Sequence, residues 1–229
     1  MSHSVRSHLR IETGAYDEVI RTFLPEYDEM LSLTARAVAE TEPNHVLDLG
    51  AGTGALSLAM LEECRYCQVT LIDVDPEMLD QARERLAPYT SRTMFLRQSF
   101  RDALPDCDAV GASLALHHVP SMSEKEKLYG TIHKALRPGG VFVNADVTMP
   151  AEPDARKADY ATWAAHLVAS GIPQDRAWEH FEEWAAEDFY FPLEEELSTL
   201  EEAGLASECL WRVTPSTVIK GVKSTTDLA

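Results

Sequence analysis

Short apolar runs alternate along this chain with longer stretches whose apolar residues recur every three or four positions. Runs at 45–49, 68–73, 92–97, 108–113 and 141–147 have the length and apolar character of strands buried on both faces. Helical patterns lie between them. Asp75-Pro76 opens one, with Met78, Leu79, Ala82 and Leu86 along a face. Ser123 and Glu126 form a capping box for another, which Arg137-Pro138-Gly139-Gly140 stops. Ahead of the first strand, residues 15–40 carry Tyr27, Met30, Leu31, Thr34, Ala35 and Val38 at helical spacing. With Pro25 near its start, this predicts an amphipathic helix lying outside that strand. Such alternation of strand and helix predicts a parallel sheet covered on both faces.

Residues 151–191 interrupt the alternation. They read as one or two helices parted near Gly171-Ile172-Pro173 and carry Tyr160, Trp163, Trp178, Phe181, Trp184, Phe189 and Tyr190. Two explanations fit such a run. The rings can pack a helical pair on the core, or the segment can form a lid, because it leaves a strand's carboxyl end, where open α/β sheets bind ligands. Beyond it, Leu193, Leu197 and Leu200 mark a helix that Gly204 caps. Two strand patterns at 207–213 and 216–223 meet at Thr214-Pro215, a connection so short that the pair must run antiparallel. Residues 224–229 read as a loose tail.

With 229 residues, 45% of them hydrophobic, one substantial core and one domain are expected. A formal charge of −18 and a pI near 4.7 argue against nucleic acid or an anionic membrane as partner, and favour a small molecule. The start MSHSVRSHLR lacks the apolar centre of a signal peptide, and no apolar run reaches the ~20 residues of a membrane span. A cytoplasmic protein, monomeric or homodimeric, is the expectation. Cys64, Cys67, Cys107 and Cys209 form no disulfide framework, and Cys64-Arg65-Tyr66-Cys67 stands without the second pair that a structural metal site needs.

The richest segment is His45-Val46-Leu47-Asp48-Leu49-Gly50-Ala51-Gly52-Thr53-Gly54. An apolar strand runs into alternating glycines and then a helix, an arrangement that brings backbone and unpaired helical N–H groups against a nucleotide. Asp73, closing the next strand, is placed to hold ribose hydroxyls. Gly50, Gly52 and Ala55 also satisfy the dinucleotide-binding spacing, so an NAD-dependent oxidoreductase is the rival reading. Asp48 ahead of the glycines and the third glycine, Gly54, weigh against it.

VLDLGAGTG and VTLIDVDPEML, followed by DAVGASLALHHVP, KALRPGGVFVNAD and FPLEEELSTLEEAGL, resemble the class I S-adenosylmethionine (SAM)-dependent methyltransferases over about residues 45–223. The resemblance implies an α/β fold: a single-domain Rossmann-like sheet, mostly parallel with a C-terminal antiparallel hairpin, helices on both faces, and a helical lid insertion after the fifth strand. Domain 1–229 would then divide into a helical cover (1–44), a cofactor-binding core (45–150), the lid (151–191) and a C-terminal helix and hairpin (192–229). It further implies SAM as cofactor, S-adenosylhomocysteine (SAH) as product and a small-molecule acceptor. Asp48, Gly50 and Gly52 match the loop facing the methionine part, and Asp73 the ribose acid. Val74 and Met78 match positions beside adenine, and Ser113 with Leu114 the end of the fourth strand. One position departs: Gln98-Ser99-Phe100 replaces the family's frequent Gly-Asp pair, so Ser99 and Phe100 must serve adenine without a carboxylate.

Methyl transfer from a sulfonium needs an aligned nucleophile, exclusion of water and, for a protonated nucleophile, a base. Candidate catalytic residues are His118, His117 and Asp146, with His166 and His180 in the insertion behind them. Trp163, His166 and Tyr190 are the candidate substrate contacts. Only Asp146 presents itself near the fourth and fifth strands as a carboxylate ligand, so no metal is expected. Between 151 and 203, fourteen acidic residues face only Arg156, Lys157 and Arg176, an excess that disfavours a phosphorylated acceptor. A SAM-binding protein without turnover is the reading outside enzymes.

Overall fold

The structure, a computed structural model, describes residues 16–226; His3, His8, the opening segment and the end of the expected tail lie outside the described residues. Seven strands form one sheet in the order β3-β2-β1-β4-β5-β7-β6. They are β1 (His45–Leu49), β2 (Gln68–Asp73), β3 (Thr93–Arg97), β4 (Cys107–Ser113), β5 (Leu136–Val147), β6 (Leu205–Val213) and β7 (Ser216–Lys223). The first five pair in parallel, while β7 is antiparallel to both β5 and β6. From β1 the chain winds outward through β2 to β3, then crosses back to β4 on the other side. That reversal opens a crevice beyond the carboxyl ends of β1 and β4.

Two sequence expectations are corrected at helix starts. The segment before β1 is two helices, α1 (Tyr16–Phe23) and α2 (Tyr27–Ala39), where one was expected. Pro25 disfavours helical geometry in the residue before it and has no N–H to give, and Glu26 follows with a left-handed φ of 54°. The later helix α5 (Met122–Ala135) is capped by Ser121, whose Oγ accepts from the Glu124 N–H at 3.3 Å, and not by Ser123. Both serines precede a glutamate by three, and it is Ser121 that has a cap's extended backbone. The other helices are α3 (Ala55–Glu63), α4 (Pro76–Arg85), α6 (Pro153–Ala169), α7 (Gln174–Trp184) and α8 (Leu193–Glu202). Asp75 caps α4, accepting from Glu77 at 2.9 Å.

Most aromatic residues of α6 and α7 pack into the core, Trp178 being the exposed exception. Trp163 is 2% exposed, and its indole donates to the Phe23 carbonyl at 2.6 Å. Its ring lies 4.9 Å from Phe181 and 5.4 Å from Trp184, which in turn meets Phe23 at 5.0 Å. The inserted helices therefore lock α1 onto the rest of the molecule.

On the opposite side, Lys125 of α5 and Glu196 of α8 form an ion pair with both side chains 3% exposed, and Tyr129 donates to the same carboxylate. Removing one partner strands a charge away from water. Lys125→Ala is expected to lower unfolding free energy by about 3–5 kcal/mol in urea titration. Lys125→Met, Glu196→Leu and Tyr129→Phe combined should recover most of that loss, since no buried polar group is left unpaired.

Candidate active site

A cavity of about 790 Å³ occupies the crevice. All ten residues matched to the cofactor in the sequence line it: Asp48, Gly50, Gly52, Asp73, Val74, Met78, Ser99, Phe100, Ser113 and Leu114. The turn after β1 shapes its floor. Gly50 and Ala51 donate their N–H groups to the Ile72 carbonyl at 2.8 and 3.1 Å, which ties the turn to the end of β2. A Cβ on Gly50 would stand 2.4 Å from the Ala115 Cβ, and Gly50 has a φ of +65°, so only glycine fits.

Asp73 is held by the turn it faces. One carboxylate oxygen accepts from Gly52 N–H and the other from Asp75 N–H, each at 2.8 Å, leaving further lone pairs toward the cavity. Burial lifts its pKa against those hydrogen bonds. Asp48 accepts from Ser57 Oγ at 2.6 Å, and burial pushes its carboxyl up to about 7. From outside, Asp17 of α1 accepts from Thr53 Oγ1 at 2.8 Å and pairs with Arg85, so α1 braces the turn.

These features fit a SAM-sized ligand. A carboxylate stands ready for a diol, a second acid for an ammonium, and Ser113 Oγ is buried with no hydrogen-bond partner. Ser99 accepts from the Arg101 N–H at 3.1 Å, which leaves its own proton and a second lone pair.

The other end of the cavity is walled by Tyr27, Pro120, His118, Ala186, Glu187 and Phe189. His117 and Asp146 stand behind this wall. Asp146 accepts from the N–H groups of Leu116 (3.1 Å), His117 (3.0 Å) and Val147 (2.8 Å), and from His117 Nδ1 at 2.6 Å. Burial opposes its charge, but His117 more than offsets this and its pKa falls below the ordinary carboxylate range. Burial likewise opposes charge on His117, yet Asp146 and Asp188 carry its pKa upward.

Asp188 was not singled out in the sequence. Its side chain is 6% exposed, its Oδ1 lies 3.2 Å from His118 Nδ1, and its Oδ2 accepts from the Tyr190 hydroxyl at 2.7 Å. Nothing in residue spacing set it apart from the surrounding acids. Trp163, His166 and Tyr190 stand off the cavity wall: Trp163 in the core, Tyr190 on Asp188. His166 is held at a lowered pKa by burial, with Glu26 and the Thr22 backbone opposing. The insertion meets the cavity through 186–189 rather than through its helices.

Residues 46–140 match the family described as a methyltransferase domain. A carboxy-S-adenosyl-L-methionine synthase of Geobacter metallireducens is 29% identical over 149 residues, 61% of this chain and 60% of that protein. An O-methyltransferase family protein from Burkholderia thailandensis superposes with a TM-score of 0.74 at 18% identity, covering 99% of this chain and 65% of that one. Human N-acetylserotonin methyltransferase, solved in complex with SAM, gives a TM-score of 0.60 at 17% identity over 98% of this chain and 63% of its own. The chain spans less than two thirds of each of these proteins. Over residues 46–140 the chain is similar to a methyltransferase domain, and it shares the fold of these methyltransferase structures, with the antiparallel hairpin of β6 and β7 closing the sheet.

Burial at Asp48 has a measurable cost. Because its folded pKa lies near 7, above the unfolded range, stability falls as pH rises from about 4 to about 7 and stays low beyond. Asp48→Asn, which keeps an acceptor for Ser57, should match the parent near pH 4 and exceed it at pH 8 by roughly 2–4 kcal/mol in thermal unfolding. The same variant should bind SAM more weakly.

Proposed function

We propose that this chain transfers a methyl group from SAM to a small-molecule acceptor. The convergence of Asp48, the glycine turn, Asp73, Val74, Met78, Ser99, Phe100, Ser113 and Leu114 on one cavity carries this reading. SAM supplies a methyl group on a sulfonium, so transfer forms the acceptor–carbon bond as the sulfur–carbon bond breaks and leaves SAH. The chain's own work is binding and alignment. Asp73 holds the ribose hydroxyls, Asp48 faces the amino group, the Gly50–Gly52 turn lies against the methionine part, and Ser99 with Phe100 takes the adenine.

The acceptor occupies the end walled by Tyr27, Pro120, Ala186, Glu187 and Phe189, a mixture of apolar surface and one acid that suits a neutral or cationic small molecule. A protonated acceptor is activated at the cluster that His118 fronts, with His117 and Asp146 as its support. Trp163 and Tyr190 act by shaping the wall from behind rather than by touching substrate. We read the protein as one domain working in the cytoplasm without nucleic acid or membrane. The free cysteines at 64, 67, 107 and 209 agree with a reducing compartment, and no helix among the described residues is long and apolar enough to cross a membrane.

Calorimetry is expected to detect SAM and SAH but not NAD, and an acceptor panel to yield SAH with a methylated product. Binding of NAD without SAM would overturn the reading. Asp73→Ala should weaken SAH by about 1.5–3 kcal/mol, or ~10–100-fold, through lost hydrogen bonds to a charged acceptor. Unchanged affinity in the folded variant would remove the ribose role. At the adenine end, Ser99→Ala should cost about 0.5–1.5 kcal/mol, while Ser99→Asp should bind SAH equally or more tightly. A tenfold loss with the aspartate would show that this loop differs from the family's common geometry.

A further inference from the structure

His117, His118 and Asp188 each offer one ligand atom, and the three atoms lie within 4.8 Å of one another. Asp188 Oδ1 is 3.7 Å from His117 Nε2 and 3.2 Å from His118 Nδ1. The two imidazoles meet edge to face with centroids 4.2 Å apart. Donors on one ion with bonds of about 2.0–2.2 Å stand roughly 3–3.5 Å apart, so closing this set around a cation asks for about 1 Å of side-chain adjustment. Two imidazole nitrogens and a carboxylate on one side of an ion leave its other positions open.

The groups behind these three are arranged as a metal's outer ligand sphere requires. His117 Nδ1 is bound to Asp146 at 2.6 Å, which turns Nε2 toward Asp188. A carboxylate behind a ligating histidine fixes its tautomer and raises its basicity. Tyr190 donates to Asp188 Oδ2 at 2.7 Å and so aims Oδ1 at the histidines. His117 Nε2 and Asp188 Oδ1 stand 3.7 Å apart, too far for a hydrogen bond, so a cation seated between them would take the place of a proton on the imidazole. Binding would cost His118 its 3.2 Å contact with the Glu187 carbonyl.

We propose that His117, His118 and Asp188 bind a divalent transition-metal ion of the zinc, cobalt or manganese class, whose open positions face the acceptor end of the cavity through His118. Such a site would run against the expectation of no metal drawn from the sequence, where Asp188 was indistinguishable from its acidic neighbours. It rests on the methyl-transfer reading only for what the ion would meet: an oxygen or nitrogen nucleophile of the acceptor, as a phenol or catechol provides. The ion itself is held by this chain's residues alone.

The test uses the full chain, stripped with chelator and titrated with Co(II), Zn(II) and Mn(II) salts, with bound metal measured by mass spectrometry and Co(II) followed by its visible absorption. About one ion per chain is expected. Asp188→Asn and His118→Gln should each lower affinity ~100-fold or more, and Tyr190→Phe, which touches only the carboxylate, ~10-fold. SAH calorimetry on each variant reports that fold and cofactor cavity persist. Failure of all three ions to bind, or binding that survives Asp188→Asn and His118→Gln, would overturn the site. A parent chain that holds the metal but no SAH would instead sink the methyl-transfer reading and leave the metal site standing.

Discussion

The hydrogen bonds from Gly50 and Ala51 to the Ile72 carbonyl are the constraint on which the cofactor end depends. They fasten the turn leaving β1 to the last residues of β2, and so place two carboxylates, Asp48 and Asp73, around one backbone loop. The turn closes only because Gly50 leaves room for Ala115, the residue that leads into the Leu116–His118 turn after β4. The floor of the cavity and the wall that His118 forms thus share a contact. Reversal of strand order between β1 and β4 supplies the crevice, and the glycine turn sets what chemistry lines it.

A second organising group is Asp146, at the end of β5. Three hydrogen bonds draw the Leu116–His118 turn onto it, Val147 N–H gives a fourth, and its lowered pKa follows from that company. A carboxylate so fully engaged is a support rather than a free base. Its effect passes through His117 to Asp188, which arrives from the far side on the chain after α7. Core and insertion therefore meet at a polar contact beside the cavity wall, while their aromatic residues meet in a separate apolar cluster around Phe23 and Trp163.

Much of the fold was legible because buried strands announce themselves. The limits of β1, β2 and β7 agree with the apolar runs that predicted them. The convergence on one cavity of the residues matched to a cofactor was legible for a related reason: they sit on strand ends and one glycine turn, where position along the chain nearly determines position in space. Helix starts were less so, because local patterns degenerate there. Two serines competed to cap α5, and the break at Pro25 and Glu26 read as one helix's beginning instead of another's end. The acceptor side was hardest. Asp188, Glu187 and Phe189 reach the site through tertiary packing of α6 and α7, and no periodicity in 151–191 marks which acid turns inward. Trp163 looked like a ligand contact and is a core residue, because an aromatic at helical spacing has the same pattern in either role.

The acidic balance of the chain acquires meaning from this division. Most of the excess between 151 and 203 lies on solvated helix faces, where it costs little and favours solubility. A few acids are placed where charge is expensive. Asp48 is pushed up to about 7 by burial, and Asp188 stands 6% exposed beside two histidines. A fold keeps such groups only if something compensates them, and the compensation differs at the two ends of the cavity. At Asp48 the hydroxyl and backbone of Ser57 offset only part of the burial, and the carboxyl stays raised to about 7. At Asp188 the protein supplies its own partners in Tyr190, His118 and His117. One end of the cavity therefore buries a carboxylate that local hydrogen bonds only partly offset, while at the other a carboxylate is matched by a hydroxyl and two imidazoles.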